Sequence, residues 1–311
     1  MLSNEYAKLY LKENEKIFEF EYKEDNNIFK TISIKRPIEQ IGNIKLKENY
    51  YDLESPYGYG GYFFNTKNEK FLNKAFKKYK NYCKTQNIIA EFVRFHPFLN
   101  CINQQMDFCA YDRDIVVKEL NEDIMISYPS KIRNIVRKCK KILKIKKSDN
   151  VDKFIEIYYQ TMKKNNADEF YFFDKKYFDD LLKLKEVELY ETIFEGEIIA
   201  MSFFIFSEYG YYHLSANTTS SYKLNANYLL LHKAFLEAKK RGIKYFILGG
   251  GTTSDENDTL LKFKKKFSKI LKPFYIGGII FNKEKYNEYI DLWQKQTKKD
   301  IKYFLKYRLE I

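Results

Sequence analysis

Three consecutive glycines, Gly249, Gly250 and Gly251, follow an apolar run and precede a helical segment. Glycine has no Cβ atom, so a ligand can approach this backbone closely, and the amide groups at the start of the next helix can cradle an anion. The sequence contains neither the dinucleotide pattern GxGxxG nor the P-loop pattern GxxxxGK(S/T). The glycines therefore predict either an anion site of another kind or a turn that requires positive φ.

A lysine on the inward face of the following segment is the second chemical feature. On a helical wheel of residues 258–267, Lys264 falls within the apolar arc that includes Phe263, whereas the other three lysines fall on the solvent side. An inward lysine commonly extends its ammonium group to solvent or pairs with a carboxylate. Alternatively, it holds a cation in a cleft, where it can stabilise a phosphate or a developing oxyanion.

A basic helix is predicted to begin at Pro129 and to extend to about Lys141. Its residues Arg133, Arg137 and Lys141 stand one turn apart on one face. This spacing suits contact with a polyphosphate or a nucleic-acid backbone, or it forms a solvated helix face.

Another candidate anion site lies where the predicted strand Ile88–Phe95 ends before a proline. Arg94 and His96 flank this strand end, and guanidinium groups bind phosphates and carboxylates through paired hydrogen bonds. The candidate substrate contacts in the Tyr- and Gly-rich segment ahead of the preceding helix are Tyr57, Gly58 and Tyr59.

Composition limits the class of protein. The chain has 311 residues, 45% hydrophobic content and a formal net charge of +13, which excludes intrinsic disorder. The charge is typical of nucleic-acid, anionic-lipid or phosphorylated partners, or of a lysine-rich composition on solvated faces. Three scattered histidines predict no metal site and no hydrolase triad. The four cysteines match no disulfide framework, and no signal peptide or membrane span is found, which predicts a cytoplasmic protein or one peripheral to the inner membrane face.

The hydrophobic periodicity predicts alternating helices and strands, and hence a mixed α/β fold. Helices are predicted at about 69–86, 129–141, 151–164 and 174–184, and strands at 88–95, 115–120, 142–146, 187–194, 197–206 and 210–215, before a final helix, strand, glycine loop, helix, strand and helix.

The two halves of the chain resemble each other. Residues 68–76 align with residues 227–235 and share Asn, Leu, Lys, Ala and Phe at matching positions, each within a helix that leads into an apolar strand. We therefore predict two copies of one unit. The boundaries are residues 1–115 for the first unit and residues 116–311 for the second, which would include the basic helix 129–141 and the C-terminal helix.

Several segments of the second half resemble Fem-type (FemAB-like) peptidoglycan-bridge transferases, which are tandem GNAT-fold acyltransferases. The segments are residues 198–204, 211–215, 227–235, 242–246, the glycine loop and 261–267. The resemblance implies two GNAT-like units with mixed central sheets flanked by helices. It also implies catalytic roles for Phe263 and Lys264, which match a Phe-Lys pair of the family's cleft. The substrate contacts that it suggests in these segments are Tyr212, His213, Ser215, Asn227 and residues 249–251.

The resemblance leaves the acyl donor open. Fem-type proteins use aminoacyl-tRNA, whereas ordinary GNAT acetyltransferases bind acetyl-CoA at a glycine-containing loop. The corresponding stretch Tyr222–Leu229 contains no glycine. Both acyl-CoA and aminoacyl-tRNA therefore remain candidate donors, and no metal is implied.

The leading hypothesis is an N-acyltransferase that acts in cell-wall or surface-polysaccharide biosynthesis. It would transfer an acetyl, other acyl or aminoacyl group to an amine on a nucleotide- or lipid-linked amino-sugar or peptide acceptor. The alternative, favoured by the basic helix, is a non-catalytic tRNA- or RNA-binding module on the same scaffold.

Overall fold

The computed structural model describes residues 3–99, 103–121 and 123–311. It divides the chain into two compact units, of which unit 1 comprises Met1–Arg113 with Pro273–Ile311 and unit 2 comprises Asp114–Lys272.

The elements before residue 114 supply most of unit 1. They are α1 Asn4–Lys8, β1 Lys16–Glu24, β2 Asn27–Pro37, β3 Gln40–Ile41, β4 Ile44–Lys45, β5 Tyr51–Glu54, β6 Tyr62–Phe64, α2 Glu69–Thr85, β7 Ile88–Arg94 and β8 Phe108–Glu119, which continues into unit 2.

The remaining elements follow in chain order. Those up to the second unit boundary are α3 Ser130–Ile142, β9 Lys144–Ser148, α4 Val151–Lys164, α5 Lys175–Lys183, β10 Val187–Phe194, β11 Glu197–Phe206, β12 Gly210–Asn217, α6 Thr219–Lys223, α7 Ala226–Lys240, β13 Tyr245–Gly249 and α8 Thr259–Lys265. The last are β14 Ile270–Ile280 and α9 Lys283–Gln296.

The central strands of the two units follow the same plan. In unit 1 the order is β1-β2-β5-β7-β14, and in unit 2 it is β10-β11-β12-β13-β8, with β9 added beside β10. In each series only the third and fourth strands are parallel, and one long helix, α2 or α7, lies between them in sequence. The predicted mixed α/β fold with a repeated unit is therefore confirmed.

The helices pack through the apolar faces that the periodicity predicts. In α2 the buried side chains include Phe71, Phe76, Tyr79 and Cys83, which recur every three to five residues and face the strands of unit 1. In unit 2, α7 is buried along most of its length and shares one core with α3 and with β10–β13. These cores hold the strand ends that position the candidate site.

The C-terminal segment differs from the prediction. Residues 273–311 belong to unit 1, because β14 pairs antiparallel with β7 and the tail is fixed by a buried carboxylate. Asp52 is fully buried and accepts hydrogen bonds from Tyr307 Oη at 3.0 Å and from Arg308 Nε at 2.8 Å. The sequence had assigned this segment to the second unit.

The cysteines partly follow the prediction. Cys83 and Cys139 are free and buried, whereas Cys109 is disulfide-bonded, contrary to the expectation of a chain without disulfides. Cys101 lies outside the described residues. Separately, none of the helices in the described ranges combines the length and apolarity needed to span a bilayer.

Candidate functional site

The parallel strands β12 and β13 of unit 2 separate toward their carboxyl ends. Among the described residues they share two registered pairs, Gly210 with Phe246 and Tyr211 with Ile247, and β12 then continues to Asn217 without a partner on β13. Crevices at the carboxyl ends of parallel strands are common ligand sites in α/β folds. We call the region where the pairing of β12 with β13 ends the β12–β13 opening.

Lys264 connects the two sides of this opening. Its side chain extends from α8, is 7% exposed and donates a hydrogen bond from Nζ to the Gly250 carbonyl oxygen at 2.6 Å. Its Nζ also lies 5.9 Å from the ring centroid of Tyr212 on β12. The wheel predicted the inward direction of this side chain. The ammonium group therefore lies where the two strands separate.

Phe263 has a different environment from its neighbour. Its ring packs edge-to-face on Tyr228 of α7 at 5.2 Å and on Phe267 at 5.4 Å. The Tyr228 contact attaches α8 to α7 and so helps to hold Lys264 in place.

The glycine loop is fixed by one carboxylate, that of Asp258. Gly249 has a φ of +83°, and a Cβ atom on Gly251 would lie 2.5 Å from Asp258 Cγ. Asp258 Oδ2 accepts the backbone amides of Thr252 and Thr253 at 3.0 and 3.2 Å. These two loop amides are therefore bound by Asp258, and an anion site at residues 249–251 stays a prediction.

Asp258 also begins α8, since its Oδ1 accepts the Leu261 amide at 2.9 Å in the manner of a helix N-cap. Its partial burial would raise the pKa, but the hydrogen bonds from Thr252, Leu261 and Thr253 lower the pKa of Asp258 to about 2. The sequence-based predictions give Asp258 no role, although an Asp immediately before a helical segment is a recognisable cap signal.

Strand β12 carries a bulge at His213. Phe203 pairs with Leu214 and Phe204 with Tyr212, which leaves His213 as the extra residue, and bulges redirect side chains beside functional sites. His213 Nε2 lies 3.0 Å from Tyr177 Oη, and burial lowers the pKa of His213 to about 3. This imidazole is therefore neutral at pH 7.

Polar side chains continue along β12 beyond the bulge. Ser215 Oγ accepts hydrogen bonds from Ser202 Oγ at 3.0 Å and from Asn217 Nδ2 at 3.1 Å. Burial raises the pKa of Tyr212 to about 12, against the opposing effect of hydrogen bonds with Ser215 and Ser202. Tyr212 is thus protonated at neutral pH and can donate or accept a hydrogen bond.

Asn227 lies in the first turn of α7, the long helix that follows β12 in sequence. Its Oδ1 atom is buried and has no hydrogen-bond partner within the described residues, and the preceding cap residue Asn225 has a φ of +57°. Buried polar atoms are normally satisfied, so this oxygen is available to a donor group of a ligand.

The sequence-predicted contacts of unit 1 come together around two short bridges. The Gly60 amide donates to the Arg94 carbonyl at 2.6 Å and the His96 amide donates to the Gly60 carbonyl at 3.0 Å, which brings Tyr59 within 5.6 Å of the His96 ring. Gly58 has a φ of +92° in the same turn, and the Tyr57 carbonyl accepts a hydrogen bond from Tyr6 Oη.

Arg94 and His96 are both engaged within unit 1. Arg94 Nη2 lies 2.7 Å from Glu54 Oε1, and the Phe98 amide donates to His96 Nδ1 at 3.2 Å. Burial lowers the pKa of His96 to about 3, so this side chain is a neutral acceptor rather than an anion-binding cation.

Unit 1 has no counterpart to the β12–β13 opening in its described residues. Its parallel strands β5 and β7 stay paired through Glu54 and Phe92, the Ser55 amide extends the pairing to the Phe92 carbonyl at 3.1 Å, and Gly60 bridges to Phe95. The contrast makes the opening of unit 2 the better candidate for a ligand.

The basic helix α3 is only partly available to a ligand. Arg133 Nη1 donates to the carbonyls of Tyr128 at 2.9 Å and Ile126 at 3.3 Å, so it supports the turn before its own helix. Arg137 is exposed. No group of three His, Cys, Asp or Glu side chains in the described part of the chain is arranged to hold a metal ion.

Comparison with known proteins matches residues 184–287 to the FemAB family, a region that includes the β12–β13 opening and Lys264. The structure of FemX is similar with a TM-score of 0.71 and 13% identity, over 92% of this chain and 93% of that one. No curated protein sequence matches the chain.

Two further solved structures share the fold at lower similarity. L-PGS from Bacillus licheniformis has a TM-score of 0.52 and 12% identity, over 82% of this chain and 81% of that one. The C-terminal domain of a putative lysylphosphatidylglycerol synthetase from Agrobacterium fabrum has a TM-score of 0.50 and 14% identity, over 86% and 85%.

At these identities the structural likeness shows the fold, and the family match adds the sequence signal of the region around Lys264. Together they support an acyltransferase. The FemAB match over residues 184–287 and the FemX-like fold confirm the predicted resemblance of this chain to Fem-type acyltransferases.

Proposed function

We propose that this protein is an N-acyltransferase whose reaction takes place at the β12–β13 opening of unit 2. The observation that carries the proposal is the buried ammonium group of Lys264, held between the Gly250 carbonyl and the Tyr212 ring. Burying the Lys264 ammonium group costs free energy because the charge loses its contact with water. A role in stabilising negative charge that develops during the reaction would explain why a cation is kept at this position.

The chemistry requires no covalent enzyme intermediate. The neutral amine of the acceptor attacks the carbonyl carbon of the donor and forms the new C–N bond, which places negative charge on the carbonyl oxygen. Collapse then breaks the C–S bond to coenzyme A or the C–O bond to the ribose of tRNA, and the proton lost by the amine passes to the departing sulfur or oxygen. A fixed cation lowers the barrier by stabilising the oxyanion.

The donor would enter beside β12 and the start of α7. Tyr212 can hydrogen-bond a carbonyl or amide of the donor, and the unsatisfied Asn227 Oδ1 can accept an N–H or O–H group. Acyl-CoA and aminoacyl-tRNA both offer such groups along with an activated carbonyl. We keep both as donors to be tested.

The acceptor proposed is an amine on a nucleotide- or lipid-linked envelope precursor. Separately, the turn of Tyr57, Gly58 and Tyr59 next to His96 in unit 1 carries aromatic and neutral imidazole groups, which suit contact with a sugar or peptide. Arg94 contributes less than the sequence suggested, because an anionic acceptor must compete with Glu54.

Lys264 supplies the test of this proposal. Acetyl-CoA and alanyl-tRNA are each incubated with nucleotide-linked and lipid-linked amino-sugar acceptors, and products are detected by mass spectrometry. Lys264→Met should lower kcat by about 100-fold, the effect of removing one oxyanion donor. The matched control is Lys262→Met, which changes an exposed lysine of the same helix.

Activity of Lys264→Met within about twofold of wild type would remove the assigned role, since such a change is under ~0.5 kcal/mol of barrier. Salt-sensitive tRNA binding without turnover of any donor would favour the non-catalytic RNA-binding alternative.

A further inference from the structure

The strongest charge asymmetry of the molecule lies in unit 2, away from Lys264 in the sequence. Between Asp123 and Asp149 the chain contains no Asp or Glu and nine basic residues. They are Lys131, Arg133, Arg137, Lys138, Lys140, Lys141, Lys144, Lys146 and Lys147. Although Lys146 and Lys147 pair with Glu191 and Glu188, no salt bridge to the other seven is seen in the part of the chain described.

A groove of about 180 Å³ lies beside these cations, between α3 and α7. Its residues are Lys140, Leu143, Ile145, Leu229, His232, Lys233 and Leu236. Two features make it amphipathic: its walls are aliphatic, and lysines stand at its exposed edge. Leu236 is 42% exposed, and Ile142 at the end of α3 is 50% exposed.

A buried polar atom is left unsatisfied at this groove. His232 is 1% exposed, and its Nε2 has no hydrogen-bond partner within the described residues. Its Nδ1 lies 3.3 Å from Tyr128 Oη. When the Tyr128 hydroxyl donates to Nδ1, the ring proton resides on Nε2, which then requires an oxygen acceptor. Because Nε2 is shielded from solvent, the exposed Lys140 at the edge of the groove, rather than this nitrogen, is the group that can meet a phosphate.

We propose that this groove and the surrounding cations form a docking surface for a membrane that contains anionic phospholipids. The lysines contact the lipid phosphates, while the aliphatic walls and the exposed Ile142 and Leu236 contact the upper acyl chains. Clusters of four to eight basic residues with adjacent apolar side chains bind membrane surfaces in this way.

The lining of the groove favours a membrane over RNA. Proteins that hold single-stranded RNA stack its bases on exposed aromatic rings. The side chains that line this groove are four leucines or isoleucines on its walls, two lysines and the buried His232, with no Phe, Tyr or Trp among them. The proposal does not depend on acyl transfer, because the docking surface shares no residue with the β12–β13 opening.

Vesicle co-sedimentation of the full chain tests the proposal. The probes are phosphatidylcholine vesicles with and without phosphatidylglycerol, at low and physiological salt. We expect binding only to the anionic vesicles and a decrease with salt. The double variant Lys140→Glu/Lys144→Glu should weaken this binding at least about tenfold, since each lysine near the surface contributes roughly 1 kcal/mol. The matched control Lys77→Glu/Lys78→Glu, on exposed positions of α2, should leave it unchanged.

A second variant, Leu236→Ser, distinguishes a membrane from RNA as the occupant of the groove. Leu236→Ser should weaken binding to anionic vesicles several-fold at constant charge, and its melting temperature reports whether the fold is intact. The proposal would be overturned if Lys77→Glu/Lys78→Glu lost as much vesicle binding as Lys140→Glu/Lys144→Glu. Unchanged vesicle binding in Leu236→Ser would also overturn it. Binding of bulk tRNA that falls with Lys140→Glu/Lys144→Glu but not with Leu236→Ser, together with no vesicle binding, would assign the surface to RNA instead.

Discussion

The position of Lys264 depends on the carboxylate of Asp258. The Asp258 carboxylate accepts hydrogen bonds from the amides of Thr252 and Thr253 and also caps α8. These bonds fix the path of the glycine loop. The Gly250 carbonyl in that loop accepts the hydrogen bond from Lys264. At the residue scale, one carboxylate therefore organises both the loop and the helix that carries the cation.

Replacing this carboxylate should have a pH-dependent cost. Asp258→Ala should lower the free energy of unfolding by about 1 kcal/mol at pH 7, the usual contribution of an N-cap. Because the pKa of Asp258 in the folded protein is about 2, below the value of about 3.9 in an unfolded chain, its stabilisation is complete above pH 5. It is lost as the pH falls from about 4 through about 2.

Urea denaturation of Asp258→Ala and wild type between pH 2 and pH 7 checks this expectation. Asp255→Ala removes an exposed carboxylate of the same loop and is the control. A difference between Asp258→Ala and wild type that stays constant down to pH 2 would show that the carboxylate charge does not hold the loop.

The sequence predicts Lys264 better than it predicts its surroundings. The inward direction of Lys264 follows from helical periodicity, which is local. The engagement of Arg133 with the Tyr128 carbonyl and of Arg94 with Glu54 depends on how turns and strands return to each other in space. For the same reason the sequence did not reveal that Asp258 binds the amides of Thr252, Thr253 and Leu261.

At the scale of elements, long periodic segments were the most predictable. The helix expected at 151–164 is α4 at Val151–Lys164, and the strand expected at 88–95 is β7 at Ile88–Arg94. The short strands β5 and β6 were missed, because a strand of three or four residues has too few positions to show alternation. The membership of β14 in unit 1 was missed because it depends on pairing with β7, distant in sequence.

The C-terminal tail supplies a prediction about these elements. Arg308 donates to both oxygens of the buried Asp52 and to the carbonyls of Pro37 and Arg36. Burial would raise the pKa of Asp52, but the charges and hydrogen bonds of Arg308 and Arg36 lower it to about 2. The tail is therefore tied to β2 and β5 by a charged network.

Arg308→Met should lower the free energy of unfolding by about 2 kcal/mol, since hydrogen bonds to charged groups contribute roughly 1.5–3 kcal/mol each and Arg36 still neutralises Asp52. Lys302→Met, at an exposed position of the same tail, should change it by less than about 0.5 kcal/mol. Chemical denaturation of the two variants shows whether the contacts of Arg308 contribute to the stability of the fold. Equal denaturation midpoints for Arg308→Met and Lys302→Met would contradict the stabilising role of Arg308.

At the scale of the whole molecule, two units with the same strand order differ at one place. The parallel strands of unit 1 are joined by Gly60 beyond their ends, whereas those of unit 2 separate after Tyr211 and Ile247. Duplication of a unit explains the shared plan. The proposed donor site corresponds to this one difference, since only the strands of unit 2 part.

The net charge of +13 is also unevenly distributed over the chain. Nine basic residues without an acidic one fall between Asp123 and Asp149, and those of α3 lie on a different helix from Lys264. Two sets of basic residues therefore have separate proposed roles. The buried Lys264 acts in acyl transfer, and the exposed basic face of α3 contacts a membrane surface.

The central claim, that the β12–β13 opening of unit 2 holds the acyl donor, is tested most directly by hydrogen–deuterium exchange with acetyl-CoA and with alanyl-tRNA as separate probes. One of the two should protect amides of β12, of the first turn of α7 and of residues 249–251, and Lys264→Met should reduce this protection while Lys262→Met leaves it intact. Protection confined to unit 1, or none with either donor, would contradict the account.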